Sequence, residues 1–381
     1  MQAQAHDDPV YLGFAAPYDS DDLYRLSSCF LPLGKVGGKP SWLNPVAVPK
    51  SEQLVCKSCS KPLCFLLQVY ATADTDSAHS FHRTLFLFVC RDPACSKAND
   101  ASNLAAFRCC LPRVNEWYGQ DGPLDADFVM ENEMPPPPAG APSLCRICGC
   151  FASKKCAKCG DAWYCSREHQ AFDWKLGHRS GCGQAEKEKK EEGEERKNPE
   201  NMWLFEEMGM EMDRETLPSS LFEDLSDDED DEEREGDKEE KRRMEEYQKM
   251  VKAKKLDEGA AAQMTEDDLE VEEKKDVCFD RFNRVMQLQS EQILRYQRGG
   301  RPLIPSDRAP DINQVPPCSL CGAPRQFEVQ LTPHLLSLIG VDSITESIDW
   351  AAVYVYTCSA NCAVPESGYA SEAVVKHDFV E

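Results

Sequence analysis

Between Cys145 and Cys182 the chain reads Cys145-x2-Cys148-x7-Cys156-x2-Cys159-x5-Cys165-x3-His169-x8-His178-x3-Cys182, which is eight zinc-type ligands in four close pairs. Each CxxC or Cx3H pair can set two donors at about 2.0–2.3 Å from one ion, and two pairs complete a tetrahedron. A block of roughly 40 residues cannot build a large apolar core, so bound metal must supply much of its folding free energy. Four protein donors leave no open position for water or substrate, which makes such metal structural rather than catalytic. Buried thiols beside incidental histidines are the bland alternative, and the regular pairing argues against them.

The remaining cysteines raise the total to 20 in 381 residues. The start, Met1 to Asp8, has neither the cationic nor the apolar part of a signal peptide, and no run of 18 apolar residues appears, so a reducing cytoplasmic and nuclear setting is expected. There a high cysteine count points to metal before disulfides. The formal charge of -24 argues against a general nucleic-acid binder and favours basic partners.

That charge is concentrated. From Glu186 to Asp276 there are 36 acidic and 17 basic residues, and no cysteine falls between Cys182 and Cys278. With so few aliphatics the segment cannot bury enough apolar area to offset chain entropy, so residues 184–276 are expected to be an acidic, disordered linker. Two apolar islands interrupt it, one at Met202-Trp203-Leu204-Phe205 and one at Leu217 to Phe222; each reads as a docking motif or as intramolecular packing. Trp203 and Phe205, with the acidic run Asp227, Asp228, Glu229, Asp230 and Asp231, are the candidate partner-binding residues. The prolines after Met134 read as an extended spacer, which isolates the metal block at 143–183.

An internal repeat flanks this insert. Cys56-Lys57-Ser58-Cys59-Ser60-Lys61-Pro62 corresponds to Cys318-Ser319-Leu320-Cys321-Gly322-Ala323-Pro324, and at the same offset Phe65 meets Phe327 and Gln68 meets Gln330. Leu85 to Cys90 then corresponds to Val353 to Cys358, with Cys95 and Cys362 closing each set. A structural zinc is predicted for Cys56, Cys59, Cys90 and Cys95, and another for Cys318, Cys321, Cys358 and Cys362. Phe327, Val329 and Leu331 alternate with polar residues as in a half-buried strand, whereas Cys64 to Tyr70 is continuously apolar, as in a strand buried on both faces. Small sheets of this kind are marginal alone, so two of them are expected to pack together. The fold class is then a β-rich α+β protein. Duplicated zinc-ribbon-like halves, 10–133 and 277–381, form one discontinuous domain, with the finger and the acidic linker inserted.

From Val277 to Gln297 the pattern is helical, closed by Gly299-Gly300. Trp42, after the Gly37-Gly38 turn, is expected in the core. No nucleophile motif or phosphate-binding glycine loop appears, and His82 reads as a hydrogen-bonded structural residue, so the chain is not expected to be an enzyme. Cys29, Cys64, Cys109, Cys110, Cys150 and Cys278 are left as ordinary thiols.

The spacing between Cys145 and Cys182 closely resembles the MYND zinc finger. The resemblance implies interleaving, with Cys145, Cys148, Cys165 and His169 on one zinc and Cys156, Cys159, His178 and Cys182 on the other. It also implies a protein-interaction module that takes proline-containing peptides. Lys35 to Leu43, Leu63 to Ala71, Phe81 to Phe88, Glu291 to Tyr296 and Ser347 to Trp350 together resemble the programmed cell death protein two family, over about residues 10 to 185 and 277 to 381. That resemblance implies a dedicated chaperone that escorts one newly made, basic protein of the 40S ribosomal subunit into ribosome biogenesis. The competing expectation is a nuclear adaptor whose finger recruits proline-bearing peptides of transcription regulators. A ubiquitin ligase fits less well, because the ligand order differs.

Overall fold

In the computed structural model the described residues are 9–19, 23–27, 33–71, 78–120, 122–123, 138–183, 202–218, 221, 276–308, 310, 315–341, 347–365 and 368–379. The candidate acidic residues Asp227, Asp228, Glu229, Asp230 and Asp231 lie outside them, as does Cys29.

Aromatic and β-branched runs form the strands, since such side chains pack well on a pleated surface. In chain order these are β1 (Tyr11–Ala16), β2 (Lys35–Val36), β3 (Cys64–Tyr70), β4 (His82–Val89) and β5 (Leu104–Leu111). Two short hairpins follow, β6 (Tyr118–Gly119) with β7 (Gly122–Pro123), and β8 (Lys154–Lys155) with β9 (Trp163–Tyr164). Then come β10 (Met208–Arg214), β11 (Leu294–Tyr296), β12 (Arg325–Leu331), β13 (Ala352–Cys358) and β14 (Ala370–His377). Among the described residues the α-helices of five residues or more are α1 (Arg167–Asp173), α2 (Val277–Leu288) and α3 (His334–Leu338).

Ten strands close into one antiparallel barrel in the order β1-β10-β2-β3-β4-β5-β14-β13-β12-β11. This corrects the expectation of two separate sheets that pack together. Closure pairs every edge, which removes the exposed strand edges that two small sheets would leave. Each of β3 and β12 carries a bulge, between Phe65 and Leu67 and between Phe327 and Val329.

Two further corrections concern segment type. Residues 202–218, assigned to the linker, are part of the barrel: β10 pairs with β1 along six residues and with β2 at Met208 and Gly209. Composition averaged over the acidic segment hid this strand, whose Met208, Met210 and Met212 alternate with Gly209, Glu211 and Asp213. The helix from Val277 stops at Leu288, and Leu294–Tyr296 is a strand between β1 and β12. Ile293 and Leu294, read as the end of a helical face, are fully buried in the barrel.

One face of the strands supplies a core shared across the barrel: Leu67, Val69, Leu85 and Leu87 of β3 and β4 meet Val329, Leu331, Val353 and Val355 of β12 and β13. Contact between these non-adjacent strands places the cluster inside the barrel. The other face of β3, β4 and β5 presents Phe65, Phe86, Phe88 and Phe107, which pack with Trp42 and with the finger residues Ile147, Ala152 and Tyr164. β3 is buried on both faces through Val69. β12 is not half-buried as its alternation suggests, because Glu328 and Gln330 are fully buried too. Glu328 meets an arginine, and Gln330 exchanges both ends of its amide with the backbone of Leu303 at 2.8 Å.

Candidate metal centres and the finger–barrel junction

Among the described residues four groups of donors gather, each with its ligand atoms within 4.8 Å of one another. They are Cys56, Cys59, Cys90 and Cys95; Cys145, Cys148, Cys165 and His169; Cys156, Cys159, His178 and Cys182; and Cys318, Cys321, Cys358 and Cys362. The finger's eight donors therefore interleave. Its first and third pairs along the chain converge, and so do its second and fourth.

The spacing within each group tests whether zinc fits. A zinc–sulfur bond of about 2.3 Å implies sulfur pairs about 3.8 Å apart at the corners of a tetrahedron. The Sγ···Sγ distances are 3.7 Å for Cys59–Cys90, Cys148–Cys165, Cys156–Cys182 and Cys318–Cys362, and 3.5 Å for Cys321–Cys358. A disulfide would need about 2.05 Å. His169 turns Nδ1 toward Cys145 at 3.5 Å, and His178 turns Nε2 toward Cys159 at 3.7 Å. The residues present fit zinc at every group.

A single backbone device builds the CxxC half of all four. Ser60, Gly149, Gly160 and Gly322, each directly after the second cysteine, have φ between 60° and 74°. That left-handed turn returns the chain so that each N–H donates to the carbonyl of the first cysteine, at 2.8–2.9 Å. The turn also aims backbone N–H groups at sulfur. N–H groups of Asp161 and Ala162 hold Cys159 down to about 7. Burial opposes ionisation of Cys318, but N–H groups of Cys321 and Leu320 outweigh it and bring that thiol down to about 7 as well. In the two barrel groups, Cys95 and Cys362 are pushed up to about 12 by burial and by their cysteine neighbours. Four crowded thiols cannot all ionise without a cation among them.

The finger is joined to the barrel by specific contacts. Trp42 Nε1 donates to the Gly149 carbonyl and Lys39 Nζ to the Arg146 carbonyl, both at 2.8 Å, and Ser51 Oγ donates to the Phe151 carbonyl at 2.9 Å. Ser166 caps α1 through the His169 N–H, which sets the histidine on the helix's first turn. The His169 ring meets Trp203 edge to face, with centroids 4.4 Å apart. Phe205 is buried under the Arg91 guanidinium, 4.6 Å from its ring centroid, and Arg91 also donates to the Met202 and Leu204 carbonyls. Trp203 and Phe205 thus pack within the molecule, where the finger, β10 and the barrel meet. A cavity of about 340 Å³ opens between the finger and the segment leading into β3, lined by Leu54, Pro62 and Leu63 from that segment and by Lys154, Arg167 and Glu168 from the finger.

Of the finger aromatics, Tyr164 is fully buried and donates to Asp173 at 2.6 Å, while Trp174 is 36% exposed. Cys64, Cys109, Cys110, Cys150 and Cys278 join none of the four groups. His82 is structural, accepting from Tyr70 OH on Nδ1 and facing the Arg113 carbonyl with Nε2.

Sequence reasoning missed a buried ionic network inside the barrel. Arg83 binds Glu328 through both terminal nitrogens, and both residues are fully buried. Arg108 donates to Glu372 at 2.7 Å, and Arg325 reaches the other oxygen of Glu372 at 3.0 Å. Asn361 Oδ1 accepts from Arg83 at 3.1 Å and from Arg108 at 3.4 Å. The available signal was a charged residue at an inward strand position, as at Arg83 in Phe81 to Val89.

The architecture defines a class, a β-barrel scaffold with two four-cysteine groups that could hold metal and an interleaved two-site zinc finger on its outer wall. Family models match along the chain in that order: the N-terminal domain of programmed cell death protein 2 at residues 9–125, the MYND finger at 145–182 and the C-terminal domain of programmed cell death protein 2 at 276–380. The chain belongs to the programmed cell death protein 2 family. It is 36% identical to programmed cell death protein 2 of Mus musculus over 387 residues, covering 100% of this chain and 99% of that protein. Against the Bos taurus protein of the same name it is 34% identical, covering 98% and 97%. A Schizosaccharomyces pombe protein named "Probable 20S rRNA accumulation protein 4" is 39% identical over 111 residues, 25% of this chain and 27% of that protein. No solved structure matches.

Proposed function

We propose that this chain is a zinc-stapled escort for a newly made, basic protein of the 40S ribosomal subunit, working in cytoplasm and nucleus in support of ribosome biogenesis. The observation that carries this is the fission-yeast relative, whose name concerns accumulation of a ribosomal RNA. Charge supports it. A formal -24, gathered largely in one tract, complements a client rich in lysine and arginine and speeds encounter with it. In this reading the chain is a binding protein and not an enzyme, and its metal is four zinc ions, two in the finger and one in each barrel arc. The two arcs, β10-β2-β3-β4-β5 and β1-β11-β12-β13-β14, are read as copies, supported by their matching bulges and knuckles.

The test is affinity purification with mass spectrometry while translation is running. One small-subunit ribosomal protein should dominate the bound fraction; a fraction without such enrichment rejects the proposal. Deleting residues 226–240 should slow association and flatten its salt dependence, and unchanged kinetics would remove the acidic tract from the reading.

The cavity at the finger–barrel junction favours a second reading, in which the finger takes proline-containing peptides. A Cys156→Ser, Cys159→Ser chain that keeps the ribosomal client places the client on the barrel. One that loses the client while its barrel stays folded at the assay temperature, as read by circular dichroism, places it at the finger.

A further inference from the structure

The two barrel metal groups differ in their electrostatic surroundings. Around Cys56, Cys59, Cys90 and Cys95 the charges are paired one to one, Lys61 with Asp92 on the surface and Lys376, which donates to Ser96 Oγ and the Lys97 carbonyl, with Asp378. Around Cys318, Cys321, Cys358 and Cys362 lies the buried network. Arg108 donates to the Cys362 carbonyl at 2.9 Å and approaches the Cys362 Sγ at 3.6 Å. Arg298 donates to the carbonyls of Cys358 and Ser359, each at 3.2 Å, and lies 3.9 Å from Glu328. Asn361, at φ 42° in the same knuckle, receives Arg83 and Arg108. Four guanidinium groups, Arg83, Arg108, Arg298 and Arg325, share two carboxylates, Glu328 and Glu372. Among the described residues the network therefore carries two more cations than anions, in a region where unpaired charge is costly.

A divalent ion ligated by four thiolates is a dianion, which balances that excess. We propose that Arg108 is a positioning residue for a zinc tetrathiolate at Cys318, Cys321, Cys358 and Cys362, and that this centre neutralises the buried arginines across the β5–β14 seam. Metal occupancy and closure of the seam then form one linked equilibrium. Arg108 lies on β5 whereas all four cysteines lie in the second arc, so Arg108 ties this centre to the first arc. The inference rests on the zinc reading given above.

The experiment is native mass spectrometry of the full-length chain, with timed zinc release to a chelator and mapping of the alkylated cysteines. In wild type the C-terminal four should stay protected. Arg108→Gln should release one zinc at least tenfold faster, with alkylation appearing at Cys318, Cys321, Cys358 and Cys362 and not at Cys56 or Cys59. Arg108→Lys should recover part of the retention. Release from Arg108→Gln at the wild-type rate overturns the inference. Hydrogen exchange on wild-type protein stripped of this zinc covers the case of a variant that fails to fold: amides of residues 106–108 and 370–372 should lose protection, and retained protection overturns the inference equally. A wild-type chain that holds no zinc at these four cysteines removes the reading beneath it, which the alkylation map reports separately.

Discussion

Single residues carry two kinds of strain in this molecule, conformational at the knuckles and electrostatic inside the barrel. Gly322 sits at φ 74° with open space where a side chain would go, so its requirement is purely one of backbone conformation. Gly322→Val should cost about 1–3 kcal/mol and weaken metal retention, whereas Ser60→Gly, which relaxes a non-glycine residue at φ 60°, should be neutral or stabilising. Thermal unfolding of the two variants checks the pair. Glu328 lies fully buried against Arg83, with Thr357 and Tyr296 donating to it. Glu328→Ala leaves an uncompensated buried cation and should cost about 3–5 kcal/mol, while Arg83→Met with Glu328→Leu should recover most of that loss, as read by denaturant midpoints. Nothing in the local pattern of β12 announced this pair, because its two halves are 245 residues apart.

At the scale of elements, β10 shows what a sequence window can and cannot reveal. It is clamped at both ends by ion pairs, Lys35 with Glu207 and Arg295 with Glu215, both at 2.7 Å. A Cβ on Gly37 would come within 1.9 Å of the Glu206 carbonyl oxygen, so the turn after β2 admits the start of this segment only as glycine. Gly37→Ala should free residues 202–218 to proteolysis, and Phe205→Ala should do the same at a cost of about 3–5 kcal/mol. Limited proteolysis with mapped cut sites checks both. The metal pairs were legible because ligand chemistry fixes their spacing locally, and β3, β4 and β13 because their apolar runs are long. β10 and β11 were not, since their short, charged segments are strands only by virtue of the neighbours that barrel closure brings to them. The repeat was legible in residue identities, but two sheets and one barrel share the same strand pattern and differ only in how edges meet.

For the whole molecule, the finger and the first arc share one apolar cluster running from Phe88 through Trp42 to Tyr164. Disrupting the finger should therefore destabilise the barrel as well. A Cys156→Ser chain should melt several degrees lower as a whole, and removing zinc from the wild type should lower the same single transition instead of leaving a barrel that unfolds as before. Differential scanning calorimetry with and without chelator distinguishes these outcomes. A finger on a flexible tether would melt independently, with the barrel transition unmoved.

Barrel closure also imposes an order in time. β1 finds its partners in β10 and β11, close to 200 and 280 residues further along the chain. During synthesis the N-terminal strand leaves the ribosome long before either neighbour exists, and loops of that length close slowly. The finger has no such wait, because its eight donors emerge within 38 residues. A nascent chain can thus fold its metal-bound insert against the first arc while the second is still being made. The last strand to arrive, β14, then seals the wall against β5.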